Sequence, residues 1–385
     1  MKLAQPQRSA CIVLLALACG LAASARAQDS IKIGVITDMT GTAKFYAETV
    51  TQASILATKL INEKGGVLGR KLELLIEDDN NKPDISAAKA RKLVDEGVVF
   101  LLSNSSTTAT MQVQSVSLET KTPQLTASNA GETMTTAMNN PYFWQTAPLA
   151  SYQLATLMAY AKGKNLKKVA LWRDNTVLSQ QVSDSFKKGL TDRGIEIVAE
   201  EVIAQGATTA VPQLQKVRAS NPDAVFNAAI LGAEMVQFFR GYQQLGLKAP
   251  IMASYNLAIP GYLQTAKGLM EGVVFVDAYD PEKPETKAFI EAWKKEFGRA
   301  PHSTNGYGFD GVNLIADVLR RAGSTDKEKV RAAMQATRNW VGVMGARDTS
   351  ISFTDTSRAG FNPEGTVVRV IQNNDHGPVI HVGTK

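Results

Sequence analysis

IKIGVITDMTGTAKFYAETVTQASILATKLINEKGGVLGRKLELLIEDDNN, residues Ile31 to Asn81, decides the fold. Ile31 to Ile36 is a short apolar, β-branched run followed by a polar loop. Phe45 to Glu63 carries apolar residues at helical spacing and ends in Gly65-Gly66, and Lys71 to Glu77 is a second apolar run. Strand, helix and strand in that order predict two parallel strands joined by a crossover helix, the unit of an open α/β sheet.

The pattern continues outward. Val98 to Leu102 and Pro123 to Thr126 read as further strands, and Ser86 to Asp95 and Thr107 to Glu119 as helices, with Pro83 at the start of the first of these. The alternation predicts a parallel sheet covered by helices on both faces. From Lys168 it starts again. KVALW (Lys168 to Trp172) echoes KIGVI (Lys32 to Ile36), each with an aspartate in the loop that follows, Asp174 and Asp38. Gly194 to Glu201 parallels Gly69 to Asp78, Asp223 to Ala228 parallels Gly97 to Leu102, and Lys248 to Met252 matches Lys121 to Leu125. The chain thus reads as two copies of one α/β lobe. Past Val276, helices are expected over Glu285 to Phe297, Asn305 to Ala322 and Lys327 to Ala336, and strands over Thr349 to Phe353 and Thr366 to Ile371. No Gly-, Ser- or Pro-rich linker sets them apart, so they are expected to complete the two lobes.

Ahead of this unit, Lys2 and Arg8 precede an apolar run from Ala10 to Ala23, and Ser24-Ala25-Arg26-Ala27 supplies small residues for cleavage after Ala27. These features predict an export signal and a periplasmic mature protein. Leu15 to Gly20 resembles a lipid-attachment box around Cys19, with its leucine one position too distant. Lipidation there is therefore the lesser alternative. Both cysteines, Cys11 and Cys19, fall within the signal, which excludes a disulfide framework after cleavage. The net charge of +6 drops by three with the loss of Lys2, Arg8 and Arg26, and nothing in it asks for nucleic acid.

Ligands of open parallel sheets bind beyond the carboxyl ends of the strands. In the two copies those loops are Asp38 to Tyr46, Ser103 to Thr107, Ala127 to Gly131, Asp174 to Ser179, Asn227 to Gly232 and Ser254 to Asn256. Ser103-Asn104-Ser105-Ser106-Thr107-Thr108 is the most informative. It leaves an apolar strand and opens a helix, so hydroxyls and free N–H groups converge at the positive end of that helix and suit a carboxylate. One residue there also serves as an ordinary N-cap, which accounts for a single hydroxyl. Catalytic patterns are scarce. The three histidines, His302, His376 and His381, fall outside these loops, and there is no HExxH or G-x-S-x-G. Gly306 to Gly311 matches G-x-G-x-x-G without a preceding strand. Asp78 and Asp79 read as a solvated strand end rather than a metal site. No enzyme activity, metal or cofactor is expected.

Ala53 to Gly69, the Glu77-Asp78-Asp79 strand end, Ser105-Ser106-Thr107 and Lys121 to Ala130, in this order and spacing, resemble the type I periplasmic solute-binding proteins of ABC importers, in particular the leucine/isoleucine/valine-binding branch. The resemblance spans nearly the whole mature chain and implies two similar doubly wound parallel-sheet lobes joined by three crossing segments. Lobe I would comprise 28–148 and 278–358, and lobe II 149–277 and 359–385. It also implies that Asn104, Ser105, Ser106, Ser128 and Ala130 hold a ligand carboxylate, with Tyr46 covering it.

The second lobe departs from that pattern. Tyr255 stands where amino-acid binders carry the glutamate that holds the ligand ammonium. Leu178-Ser179 replaces an aromatic-glycine pair, and Asn227 occupies an aromatic wall position, while Phe309 keeps an aromatic at another. A buried ammonium without a carboxylate costs several kcal/mol. The expected ligand is therefore an aromatic or other hydrophobic acid without an α-ammonium, unless Asp174, Glu132 or Glu234 supplies the charge to an ordinary amino acid. The implied partner is a membrane permease and the implied state a monomer. A sensor module serving a chemoreceptor or histidine kinase is the alternative role.

Overall fold

The computed structural model describes residues 29–162, 164–228, 234–254, 257 and 259–380. The expected signal segment, both cysteines, Tyr255 and His381 lie outside these residues.

The first sheet is wholly parallel. Its strands are β1 (Ile31–Thr37), β2 (Leu72–Asp78), β3 (Phe100–Ser103), β4 (Gln124–Thr126) and β5 (Phe143–Gln145), in the order β2-β1-β3-β4-β5. The helices α1 (Lys44–Glu63), α2 (Pro83–Asp95) and α3 (Thr107–Thr120) make the crossovers. β1 is buried at nearly every position, as a central strand covered on both faces must be, whereas the edge strand β2 is mostly half-buried.

After β5 the chain enters α4 (Ala150–Ala161) and builds a second sheet. β6 (Lys168–Asp174), β7 (Glu196–Ile203), β8 (Ala224–Asn227), β9 (Ile251–Ala253) and β10 (Val274–Asp277) are parallel, with α5 (Val177–Thr191), α6 (Val211–Ser220), α7 (Glu234–Gln244) and α8 (Pro260–Ala266) between them. The chain then returns to the first sheet with α9 (Pro284–Phe297), α10 (Asn305–Ala322) and α11 (Lys327–Gln335). It crosses once more to β11 (Val367–Gln372) and β12 (Asp375–Ile380), giving the order β12-β11-β10-β9-β8-β6-β7. No helix among the described residues is long and apolar enough to cross a membrane.

Two expectations are corrected, and one strand is added to them. The second sheet is not all parallel: β11 and β12 add antiparallel to its edge, turning at Asn373 and Asn374, whose φ values of 55° and 58° suit a two-residue hairpin. Thr349 to Phe353 is not a strand. Only Ile351 pairs, with Trp340 in an isolated bridge. The short β5 escaped the sequence reading because three buried residues, Phe143, Trp144 and Gln145, carry no periodicity.

Helices α1 and α10 lie in closest contact at Gly308. A Cβ there would fall 1.9 Å from the Val50 carbonyl oxygen and 2.9 Å from Ser54 Oγ. Ser54 donates to the Val50 and Gly308 carbonyls, and Asn305 Nδ2 donates to the Thr49 carbonyl at 2.7 Å. Two residues on, Asp310 is buried and accepts the Val343 and Met344 N–H groups, both at 2.8 Å. Lys283, also buried, donates to the Met344 carbonyl at 2.9 Å. Together they fasten the 340–349 segment beside the crossing that leads out of β10.

Gly308→Ala is expected to lower unfolding free energy by about 3 kcal/mol, read by urea titration, since neither helix backbone can retreat cheaply. Burial pushes the Asp310 carboxyl from its ordinary 3.8 up to about 6. The folded state therefore holds that proton more tightly. The group's contribution is complete below pH 3.8 and is lost as pH rises through about 6. Unfolding titrations between pH 4 and 7 should show the advantage of the wild type over Asp310→Asn shrinking as pH rises.

Candidate functional site

Parallel pairing brings the carboxyl ends of β1, β3 and β4 together, and β6 and β7 end opposite them. Between the two sets lies a cavity of about 260 Å³. Its first-lobe wall is Ala43, Tyr46, Asn81, Pro83, Asn104 to Thr108, Ser128 and Asn129, and its second-lobe wall is Asn175, Thr176, Val177, Leu178 and Gln205. No charged side chain is among them.

The wall is built around the start of α3. Ser106 is the N-cap: its hydroxyl accepts the Ala109 N–H at 3.4 Å, and its own N–H is taken by Asn81 Oδ1 at 3.1 Å. The capping explanation thus accounts for Ser106. It does not account for its neighbours. Ser105 Oγ and Asn104 Nδ2 are buried with no hydrogen-bond partner, in residues 6 % and 1 % exposed. Asn104 Oδ1 is already used, accepting from the Ser128 hydroxyl at 3.4 Å. Asn129 holds the loop from behind, donating to the Ser105 carbonyl at 2.7 Å and accepting from the Thr107 hydroxyl at 2.9 Å. Buried polar groups in folded proteins are almost always paired, so two free donors side by side at a helix N-terminus are an exception, and a negatively charged acceptor would satisfy both.

The structure assembles Tyr46, Asn104, Ser105, Ser106, Ser128 and Leu178 around this cavity. The Tyr46 hydroxyl donates to the Ser128 carbonyl at 2.9 Å, so its ring covers the site while its oxygen braces the first lobe. Ala130 is buried beside the loop without lining the cavity, and Asn227 is buried at the end of β8. Phe309 is not brought in. It stacks on Phe289 at 4.7 Å and lines a separate groove with Leu60 and Trp340, because the helical turn from Gly308 carries it to the outer side of α10. Asn81, Asn129, Asn175, Thr176, Val177 and Gln205 were not picked out as individual site residues. Asn175 to Val177 did fall in a loop the sequence marked. Asn81 has a trace in the Asp-Asp-Asn-Asn strand end, but the segment after β7 carries no signal at all.

The three candidate acids are all engaged. Glu132 accepts the Ser151 N–H. Asp174 accepts the Thr176 N–H at 2.8 Å, which places a carboxylate on the N-terminus of α5 and makes that end a poor rival for an anion. Glu234 is buried and accepts the Gly206 N–H at 3.3 Å, but its Oε1 has no partner. Burial first, and Asp174 to a lesser degree, raise its pKa. None of the three lines the cavity. Among the described residues no group of three His, Cys, Asp or Glu could hold a metal.

Two lobes with a cleft between their strand ends, polar and uncharged among its described residues, are the architecture of a solute-binding protein, and the comparisons agree. The Periplasmic binding protein family model matches residues 30–370, and the chain belongs to that family. A Leu/Ile/Val-binding protein homologue of Brucella melitensis is 26% identical over 317 residues, covering 82% of this chain and 84% of that one. The leucine-, isoleucine-, valine-, threonine- and alanine-binding protein of Pseudomonas aeruginosa is 25% identical over 320 residues, covering 82% and 85%. Among solved structures, the leucine-binding protein LivK of Thermotoga maritima superposes with a TM-score of 0.81 at 24% identity, covering 91% of this chain and 99% of LivK. A solute-binding protein of an ABC transporter from Rhodopseudomonas palustris BisB5, in complex with 3,4-dihydroxybenzoic acid, gives 0.79 at 23% identity, covering 92% and 98%. The family and these neighbours are solute-binding proteins rather than enzymes, and they share the type I periplasmic binding fold seen here.

The two adjacent serines should differ in stability. Ser105→Ala removes no internal bond and is expected to leave the unfolding free energy of the unliganded protein unchanged or slightly raised. Ser106→Ala loses the cap and should cost about 1 kcal/mol. Urea titration of both variants checks this.

Proposed function

We propose that this chain is the extracytoplasmic substrate-binding component of an ABC importer, and that it captures a small hydrophobic carboxylate between its lobes. The observation that carries the reading is the pair of buried, unpartnered donors, Ser105 Oγ and Asn104 Nδ2, at the N-terminus of α3. A ligand carboxylate there gains charge-assisted bonds and the helix dipole without any arginine. The chain crosses between the sheets near residues 148, 277 and 358, and these crossings form the hinge. Ligand bound to the first lobe favours closure to the extent that it also gains contacts with Leu178, Val177 and their neighbours. The closed form is delivered to the permease as a monomer.

The far wall supports an acid without an α-ammonium. Its described residues are amide, hydroxyl and aliphatic, and no carboxylate faces the cavity. The complex of the Rhodopseudomonas neighbour with 3,4-dihydroxybenzoic acid is in keeping with this class. One observation favours a second reading, an amino-acid ligand: the free Oε1 of Glu234 behind the second-lobe wall.

A thermal-shift and calorimetry screen should set leucine, isoleucine, valine and phenylalanine beside benzoate, 4-hydroxybenzoate and 3,4-dihydroxybenzoate. Stabilisation by the aryl carboxylates is expected, with affinity reduced about 10- to 100-fold in Ser105→Ala, the range of one charge-assisted hydrogen bond. Stabilisation by leucine or valine alone, abolished in Glu234→Gln, would establish the amino-acid reading instead. Undiminished affinity in Ser105→Ala would reject the carboxylate site.

A further inference from the structure

Tyr46 lines the cavity from the first turn of α1, while Phe45 beside it leaves the first lobe and reaches the second. Its ring meets Tyr262 of α8 edge to face, with centroids 5.8 Å apart and planes at 87°. Phe45 is 37% exposed, so it does little for the core of its own lobe. Its ring also lies over Gly261. A Cβ at that position would fall 2.6 Å from Phe45 Cγ and 2.8 Å from both Cδ atoms, and these are the three atoms nearest to it. The Gly261 backbone is ordinary helix, where alanine is the better residue. What stands against a side chain at 261 is the ring from the other lobe.

The opposite lip of the cleft carries a weaker tie. Gln181 Nε2 of α5 donates to Thr133 Oγ1 of the first lobe at 3.3 Å, a long bond between neutral, exposed groups. Such a bond gains little over the water it replaces, whereas the edge-to-face pair also removes apolar surface from water. The two lips are therefore unequal.

We infer that Phe45, seated over Gly261 and against Tyr262, is the strap that holds the lobes closed. It is a positioning residue that sets ligand affinity without touching ligand. A contact present only in the closed form multiplies the closed population, and apparent affinity follows that population by the same factor. The inference rests on the hinged closure proposed above but not on which acid is bound.

The test uses the mature chain, whose native cysteines, Cys11 and Cys19, fall within the signal segment. Nitroxides at Asp84→Cys and Thr208→Cys, exposed positions near Pro83 and Gln205 on the two sides of the cavity mouth, report lobe separation by pulsed electron resonance. Spectra are taken without ligand and with 3,4-dihydroxybenzoate or leucine. Gly261→Ala and Phe45→Ala should each shift the closed-to-open ratio about 2- to 10-fold towards the longer separation, the range an edge-to-face pair supports. Because the clash needs the ring, Gly261→Ala should add nothing in the Phe45→Ala background. Any probe that binds should lose affinity by the same factor, through faster dissociation. An unchanged distance distribution in Gly261→Ala overturns the inference, and so does an equal effect of Gly261→Ala with and without Phe45. The ligand-free spectra decide this alone, so a wrong ligand class shows up only in the probe arms.

Discussion

Parallel strand pairing is the constraint from which the rest follows. Each strand must be reached by a connection that passes back over the face of the sheet, so the loops leaving β1, β3 and β4 all emerge at one end. The same holds for β6, β8 and β9 in the second sheet. Three passages of the chain between the sheets then set these ends face to face. The cavity is a by-product of that geometry, and only its lining remained to be chosen. The antiparallel β11–β12 hairpin lies at the far edge of the second sheet, where it closes the lobe without adding a strand-end loop to the cleft.

Hydrogen-bond satisfaction gives that lining its meaning. Around the start of α3 almost every polar group is spoken for: Ser106 by Ala109 and Asn81, Asn129 by Ser105, Thr107 and Thr110. Against so complete a network, the idle Ser105 Oγ and Asn104 Nδ2 stand out as donors kept for something else. The equivalent end of α5 in the other lobe is occupied by Asp174. The start of α5 is thus already supplied with an acceptor, whereas the start of α3 keeps unpaired donors. Among its described residues the second-lobe wall of Leu178, Val177 and amides carries no fixed charge, so under the proposed function it would be the less demanding side.

Much of this was legible in the chain. The strands β1 to β4 and β6 to β9 and the first-lobe crossover helices α1 to α3 follow from apolar runs and helical periodicity, and Asn305–Ala322 was readable to the residue. The serine-rich loop was legible because six polar residues, Ser103 to Thr108, follow an apolar strand at a helix start. Local pattern failed where pairing depends on distant partners. β5 is three buried residues at a sheet edge, and Ile351 finds a single partner in Trp340. β12 was missed although Asn373-Asn374 is a fair turn signal. Phe309 shows the same limit on a helix: the sequence places it one residue after the Gly308 contact, but only packing shows which way that side faces.

The sequence by itself determined the α/β class, the repeated lobe and the serine-rich loop that lines the cavity, because each depends on residues adjacent in the chain. Tertiary structure alone decided which hydroxyls of that loop are free, since Ser106 is spent on a cap and Ser105 is not, and that distinction requires knowing every neighbour. It also decided that Asp174 guards α5, that Glu234 stays behind the wall, and that Phe45 leaves its own lobe to rest on a glycine more than 200 residues away. The last of these contacts exists only where the two lobes meet, and no local pattern in the chain encodes it.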